Sequence, residues 1–138
     1  MLNITDGLKE YDLNGKVKIC FNPTDVHFVE KLFEVFDTLD ERQNEYSQRL
    51  TGETDPKEVF KIAHEMDTET REIIDSALGG EVCGPLFGNI SIYAGDGDGL
   101  PLWANLVLTL IDEMDESFTR EKKAANPRIQ RYIAKFKR

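Results

Sequence analysis

Hydrophobic residues recur with a period of two near the start of the chain. After Asn14-Gly15, the apolar residues Val17, Ile19 and Phe21 alternate with Lys16, Lys18 and Cys20. This alternation is typical of a strand with one buried face, and Asn-Gly favours a tight hairpin turn because both central residues need positive φ. We therefore predict a β-hairpin over about residues 8–21. A lone hairpin is marginal in water, so this one must pack on helices or pair with another chain.

After the hairpin, apolar residues recur every three or four positions, which indicates amphipathic helices. The first helix is capped by Asn22 or Thr24 and runs to about Leu50, with a polar second half. The second begins at the capping box Asp55-Pro56-Lys57-Glu58 and ends at Gly79-Gly80. The third starts at Pro101 and forms the centre of the core, with Trp103 in its first turn. The connection between the second and third helices packs through its own apolar residues, which are Val82, Leu86, Phe87, Ile90 and Ile92.

These elements predict a mainly α fold in which an N-terminal β-hairpin is followed by three to four amphipathic helices in a single small domain. The domain covers residues 1–125. Asn126-Pro127 ends the third helix and begins a basic amphipathic tail helix over residues 126–138. Its predicted apolar side consists of Ile129, Tyr132, Ile133 and Phe136.

Charge is divided unevenly along the chain. The net charge is -9, which argues against a nucleic-acid partner for the chain as a whole. Residues 120–138 hold eight basic residues and one acid, so they carry +7 and the rest carries -16. Two interpretations of this tail stay open. It is either an arm that docks on an acidic surface, including another copy of the chain, or a solvated helix.

Cysteine usage and hydropathy favour a cytoplasmic protein. Cys20 and Cys83 are far apart and form no CxxC pair, which favours two buried thiols over a disulfide or a zinc site. The N-terminus has neither the basic nor the apolar region of a signal peptide, and no apolar run is long enough to span a membrane. We expect no membrane partner.

The loop AGDGDG, which precedes the third helix, resembles an ion-binding loop. Counted from Asp96, a calcium loop would need an acid where Leu100 stands, a glycine at Pro101 and a glutamate at Val107. A phosphate loop is disfavoured because no GK[ST] follows and the acids would repel phosphate. We predict a glycine turn in which Asp98 or Gly99 caps the helix, and ion binding by Asp96 and Asp98 is the alternative.

Other signals of catalysis are weak. His64 begins HEMDT, which lacks the second histidine of a zinc helix. Carboxylates three residues apart can form a magnesium cage on facing helices, as in all-helical nucleotide pyrophosphatases. Here such a cage would need Glu69 and Glu72 to meet Asp112 and Asp115, or Glu113 and Glu116. The simpler interpretation is a solvated acidic face, and we predict no enzyme activity, no cofactor and no metal.

Three short motifs resemble those of small tail assembly proteins, of the tail assembly chaperone type, from long-tailed phages and prophages of Gram-positive bacteria. The resemblance covers roughly residues 11–115. The matching residues are Phe21-Asn22-Pro23-Thr24-Asp25, then Ile74-Asp75 with Leu78-Gly79 and Phe87-Gly88, then Gly99, Pro101, Trp103 and Asn105.

The resemblance implies a non-enzymatic role. Such chaperones keep the hydrophobic tape measure protein soluble until tail tube subunits polymerise around it, and they are absent from the mature virion. The expected partners are therefore the tape measure protein, the tail tube protein and further copies of the chain in a homo-oligomer. A small structural tail or connector subunit is the alternative. From exposure and charge, we expect partner contacts in the hairpin, at the polar end of the first helix and in the tail, at Lys16, Val17, Lys18, Arg128, Arg131 and Lys135.

Overall fold

The computed structural model of the protein describes residues 1–123, and it confirms a mainly helical domain with an N-terminal hairpin. Strands β1 and β2 form a two-stranded antiparallel sheet, and four helices follow within the described residues. The elements are β1 Lys9–Leu13, β2 Val17–Phe21, α1 Val26–Thr51, α2 Pro56–Leu78, α3 Cys83–Phe87 and α4 Leu102–Lys123.

The hairpin forms where its turn residues predict it. Asn14 and Gly15 have φ values of 58° and 68°, and the Lys16 amide donates to the Leu13 carbonyl at 3.0 Å. One face of the sheet packs on the helical body through stacked rings. The Tyr11 and Phe21 centroids lie 4.4 Å apart, and those of Phe21 and Phe28 lie 4.8 Å apart. Packing against helices therefore stabilises a hairpin that would be marginal alone.

Short polar residues cap the N-termini of the first two long helices. Asp25, rather than Asn22 or Thr24, caps α1, since its carboxylate accepts from the His27 amide at 3.0 Å. The Asn22 side chain instead accepts from the Thr24 amide in the preceding turn. Asp55 caps α2 as predicted, with Pro56 in the first turn.

The connection between α2 and α4 is held on α2 by two aspartates. Asp75 accepts from the amides of Val82 and Cys83 at 3.0 and 2.9 Å, and Asp67 accepts from the Ile92 amide at 2.8 Å. The first pair of bonds fixes the start of α3, a short helix within the segment predicted as a connection. Val82, Leu86 and Ile92 are buried as predicted, whereas Ile90 is 59% exposed, so the prediction that it packs inward was wrong.

The main core lies between the hairpin and α1, α2 and α4, with α4 supplying its largest side chain. Trp103 is buried, its indole N–H donates to Gln43 at 2.8 Å, and its ring contacts Phe36. Burying each large apolar side chain stabilises the fold by about 1.5–3 kcal/mol. A second, smaller cluster of Tyr46, Ile62 and Met66 lies where the end of α1 meets the start of α2.

Candidate interaction surfaces

The hairpin exposes two of its three predicted contact residues. Lys16 and Lys18 are exposed, and Lys18 forms an ion pair with Glu10 at 3.4 Å on the outer face of the sheet. Val17 is half-buried and packs against the main core. The two lysines are therefore available to a partner, while the valine contributes to folding.

The outer face of α1 is a continuous acidic surface. Its carboxylates recur every three or four residues, opposite the buried side of the helix, and Phe33 lies among them with 53% of its surface exposed. None of these carboxylates forms an ion pair or hydrogen bond within residues 1–123, and Arg42 and Arg49 instead turn toward α2 to pair with Glu69 and Glu65. We call this surface the α1 acidic face, and it consists of Glu30, Glu34, Asp37, Glu41 and Glu45 around Phe33.

The sequence carries a signal for this face in the spacing of its acidic residues. Residues three or four apart share one side of a helix, so the acids of FVEKLFEVFDTLDERQNE fall on one stripe. The structure adds that the stripe is free of neighbouring elements in the described part of the chain, and that an aromatic ring stands within it.

A second exposed aromatic residue lies near the start of α2. Phe60 is 73% exposed, although it is next to Val59 and two residues before the buried Ile62. It lies in the second turn of α2, two residues before Ile62 of the second, smaller cluster. Phe33 and Phe60 are thus large apolar side chains that lie on helices and are exposed to a possible protein partner.

The glycine loop before α4 is built around Asp96 rather than Asp98. One Asp96 carboxylate oxygen accepts from the Asp98 and Leu100 amides at 2.7 and 3.2 Å, and the other accepts from the Asn105 side chain at 2.9 Å. The Asn105 bond, followed by the two amide bonds, lowers the pKa of this carboxyl. Three N–H donors therefore occupy the oxygens that a cation would use.

The predicted cap of α4 was wrong. The Asp98 side chain accepts no amide hydrogen bond at the start of the helix within residues 1–123. The Leu102 and Trp103 amides donate instead to the carbonyls of Ala94 and Ile92, at 2.9 and 3.0 Å. The prediction of a tight glycine turn is supported by φ values of 93° and 97° at Gly97 and Gly99.

The carboxylates that a pyrophosphatase site would require have different surroundings. Glu69 is bound by Arg42 and the Tyr46 hydroxyl between α1 and α2, while Glu72 and Asp112 are exposed. Across residues 1–123, no three histidine, cysteine, aspartate or glutamate side chains group so as to hold a metal ion. The convergence that this alternative requires does not occur in that part of the chain.

The two cysteines have different environments and are not bonded to each other. Cys83 is buried, and burial, followed by the nearby Asp75, raises the pKa of its thiol to about 12. Cys20 is exposed on the outer face of the hairpin, so the prediction that both thiols are buried was wrong for this one. A cysteine on the polar face of a two-faced strand is exposed by the alternation itself.

The remaining predicted contacts, Arg128, Arg131 and Lys135 in the tail, lie outside the described residues. None of the helices within residues 1–123 combines the length and apolarity that a membrane span requires. Comparison with protein-family models, with curated proteins and with solved structures gives no match to this chain.

Proposed function

We propose that this chain is a non-enzymatic chaperone of phage tail assembly. It binds the tape measure protein, tail tube subunits or both in the cytoplasm of the host, associates with further copies of itself, and leaves before the virion is complete. The observation that carries the proposal is the pair of exposed aromatic residues, Phe33 and Phe60, on outward helix faces. Exposed aromatic rings are suited to contact an apolar client.

The acidic surface supports the same role. A chaperone must hold an aggregation-prone client without aggregating itself. Around Phe33, the carboxylates of the α1 acidic face keep the surface hydrated and make two such surfaces repel each other. Apolar contact points within a charged surface therefore favour a client over non-specific clustering.

The motifs of the phage family resemblance fall at junctions that fix the fold. Asp25 caps α1, Asp75 holds the start of α3, and Gly79 ends α2 with a φ of 78°. At the last motif, Trp103 anchors the core and Asn105 binds Asp96. These roles explain why the motif residues matter to this fold, and the chaperone function is proposed by analogy with the family.

The proposal is tested by coexpressing the chain with a tape measure protein from a long-tailed phage of a Gram-positive host. We expect the parent chain to keep the tape measure protein in the supernatant. Phe60→Ser should shift most of it to the pellet, because the substitution removes an apolar contact point while leaving the buried residues of α2 in place.

The matched control is Ile90→Ser, which removes an apolar side chain of similar exposure from the α2–α4 connection. Equal solubility with the parent chain, the Phe60 variant and an empty vector would overturn the chaperone proposal. Recovery of the chain in stoichiometric amounts from purified virions would favour the structural tail or connector subunit instead.

A further inference from the structure

Exposed apolar side chains are concentrated at the start of the chain. Within residues 1–123, eight large apolar residues are exposed, and four of them fall among the first eight positions. Leu2 and Ile4 are 91% and 87% exposed, and neither belongs to a hydrophobic cluster of the described part of the chain. Single exposed apolar residues are normal, but several in one short stretch indicate an interaction site. The four residues are Met1, Leu2, Ile4 and Leu8.

This stretch leaves the body of the molecule at a fixed turn. The Asn22 side chain donates to the Asp6 carbonyl at 2.9 Å, and the Leu8 amide donates to the Asp6 carboxylate at 3.1 Å. Gly7 has a φ of 73°, and a Cβ added there would lie 2.5 Å from the Asn22 side-chain nitrogen. The turn therefore holds Asp6 beside the end of β2. Residues 1–5, which we call the apolar segment, continue outward from it.

An apolar cleft lies beside the same turn, and we call it the hairpin cleft. Its volume is about 520 Å³, and it is formed by the end of β2, the first turns of α1 and the last turn of α2. Neither Leu2 nor Ile4 of the same molecule lines it, so these side chains do not fill the cleft of their own chain. The apolar residues that line it are Leu8, Phe21, Phe28, Ala77 and Leu78.

The apolar segment has the chemistry that the hairpin cleft requires. Side chains alternate along an extended chain, so Leu2 and Ile4 lie on one side of the segment, and Asn3 and Thr5 lie on the other. Leu2 and Ile4 are then about 7 Å apart, close enough for one cleft to receive both. The segment contains no charged side chain, so its entry into the cleft buries none of its own charge.

The position and the charge of these features favour a second copy of the chain as the occupant. The segment begins at the rim of the cleft, because Asp6 and Leu8 line it. A two-fold axis beside this rim would let each copy place its segment in the cleft of the other, which fills both clefts. Copies with a net charge of -9 repel each other, and a segment without acids adds nothing to that repulsion.

We propose that two copies of this chain exchange their apolar segments, so that Leu2 and Ile4 of each copy bind in the hairpin cleft of the other. The contact is reciprocal, and it therefore gives a closed dimer rather than an open filament. The exchange rests on the proposed function only for the expectation that copies associate, and it assigns the surface through which they do so. It does not use Phe33 or Phe60, which stay free for a client.

Sedimentation velocity of the full-length protein over a wide concentration range tests the dimer. We expect the parent chain to sediment as a dimer. Leu2→Ser with Ile4→Ser should weaken dimerisation by about 100-fold, since burial of each such side chain contributes a factor of about ten. Both side chains are exposed in the single chain, so the fold should be retained, and far-UV circular dichroism checks this.

Two control variants test whether the effect is specific to one side of the segment. Asn3→Ser with Thr5→Ser changes the opposite side of the extended segment and should leave dimerisation unchanged. Ile90→Ser with Leu100→Ser removes two exposed apolar side chains elsewhere in the molecule and should also leave it unchanged.

A mixing experiment tests whether the segment binds the cleft of the other copy. Ser76 is exposed and lines the cleft, so Ser76→Trp should block the cleft and prevent dimerisation. This variant keeps an intact segment, while Leu2→Ser with Ile4→Ser keeps an open cleft. Mixed together, the two should form a one-to-one heterodimer that is weaker than the parent dimer, because it has one contact instead of two. Native mass spectrometry distinguishes the heterodimer by its mass.

Three results would overturn the inference. A parent chain that is monomeric at every concentration would show that no exchange occurs. Dimers that persist with Leu2→Ser and Ile4→Ser would place the contact elsewhere, and a mixture without heterodimer would show that the segment does not bind the cleft. The client assay is independent of these results, so a monomer that keeps the tape measure protein soluble would overturn the exchange and leave the client role standing.

Discussion

Single aspartate side chains in this protein fix the conformation of loop segments by accepting hydrogen bonds from their backbone amides. Asp96 is the clearest case, because one carboxylate accepts from two loop amides and from Asn105 on the first turn of α4. It therefore joins the glycine loop to the helix that follows. Asp67 and Asp75 act similarly, since each holds part of the long connection against α2.

Replacing Asp96 should change how stability depends on pH. The Asn105 bond, followed by the two amide bonds, lowers the pKa of Asp96 in the folded state, so the unfolded chain keeps its proton to higher pH. Its contribution is fully present above the ordinary aspartate pKa of about 3.9 and is lost as pH falls through the lower folded value. In urea titrations across the acid range, Asp96→Asn should lose less stability on acidification than the parent. Asp98→Asn is the loop control, and an identical acid profile for the two variants would contradict this role for Asp96.

At the scale of elements, the long helices end where a specific residue makes continuation costly. Gly79 adopts a left-handed conformation with a φ of 78° at the end of α2, and its amide donates to the Asp75 carbonyl. The chain reverses there, which brings Val82 and Cys83 within reach of the Asp75 side chain. The end of α2 and the start of α3 are thus one structural unit.

Gly79→Ala should destabilise the protein by about 1 kcal/mol, because an L-residue is strained in the left-handed region. An added Cβ meets no atom within 4 Å, so the cost is conformational rather than steric. Gly80→Ala is the matched control, since that position also has open space and does not have a positive φ. We expect it to change stability by no more than about 0.5 kcal/mol. Urea unfolding measures both variants, and equal costs would contradict the assignment of Gly79 as the helix stop.

At the scale of the whole molecule, two hydrophobic clusters are connected into one structure. The main core contains Trp103, and the second cluster contains Tyr46, Ile62 and Met66. Tyr93 packs against both clusters, and the Trp103 indole binds Gln43, three residues before Tyr46. These contacts couple the end of α1 and the start of α2 to the rest of the fold.

Unfolding should therefore be a single transition. Trp103 fluorescence reports the main core, and far-UV circular dichroism reports all helices, so the two signals should have the same urea midpoint. Ile62→Ala, in the second cluster, should lower both midpoints together, with a loss of about 2 kcal/mol. A fall in the circular dichroism midpoint alone would show that the second cluster unfolds separately.

The local sequence determined the elements of this protein because their signals are local. Asn14-Gly15 specified the turn, and the alternation of apolar and polar residues specified the hairpin. The apolar spacing of three and four residues specified the long helices. The spacing of residues along a helix also shows which of them share its exposed side, and the stripe of acids on α1 could have been predicted in this way. The conformations of Gly79, Gly97 and Gly99 were predictable as turns for the same reason.

Only the tertiary structure decided which groups satisfy one another across the chain. No local pattern could show that Asp96, rather than Asp98, organises the loop, or that backbone carbonyls of residues 92 and 94 cap α4. The exposure of Ile90 and the start of α3 depend on elements packed from elsewhere. Hydrogen bonds and burial depend on distance in space, which a sequence pattern reports only between neighbours within one element.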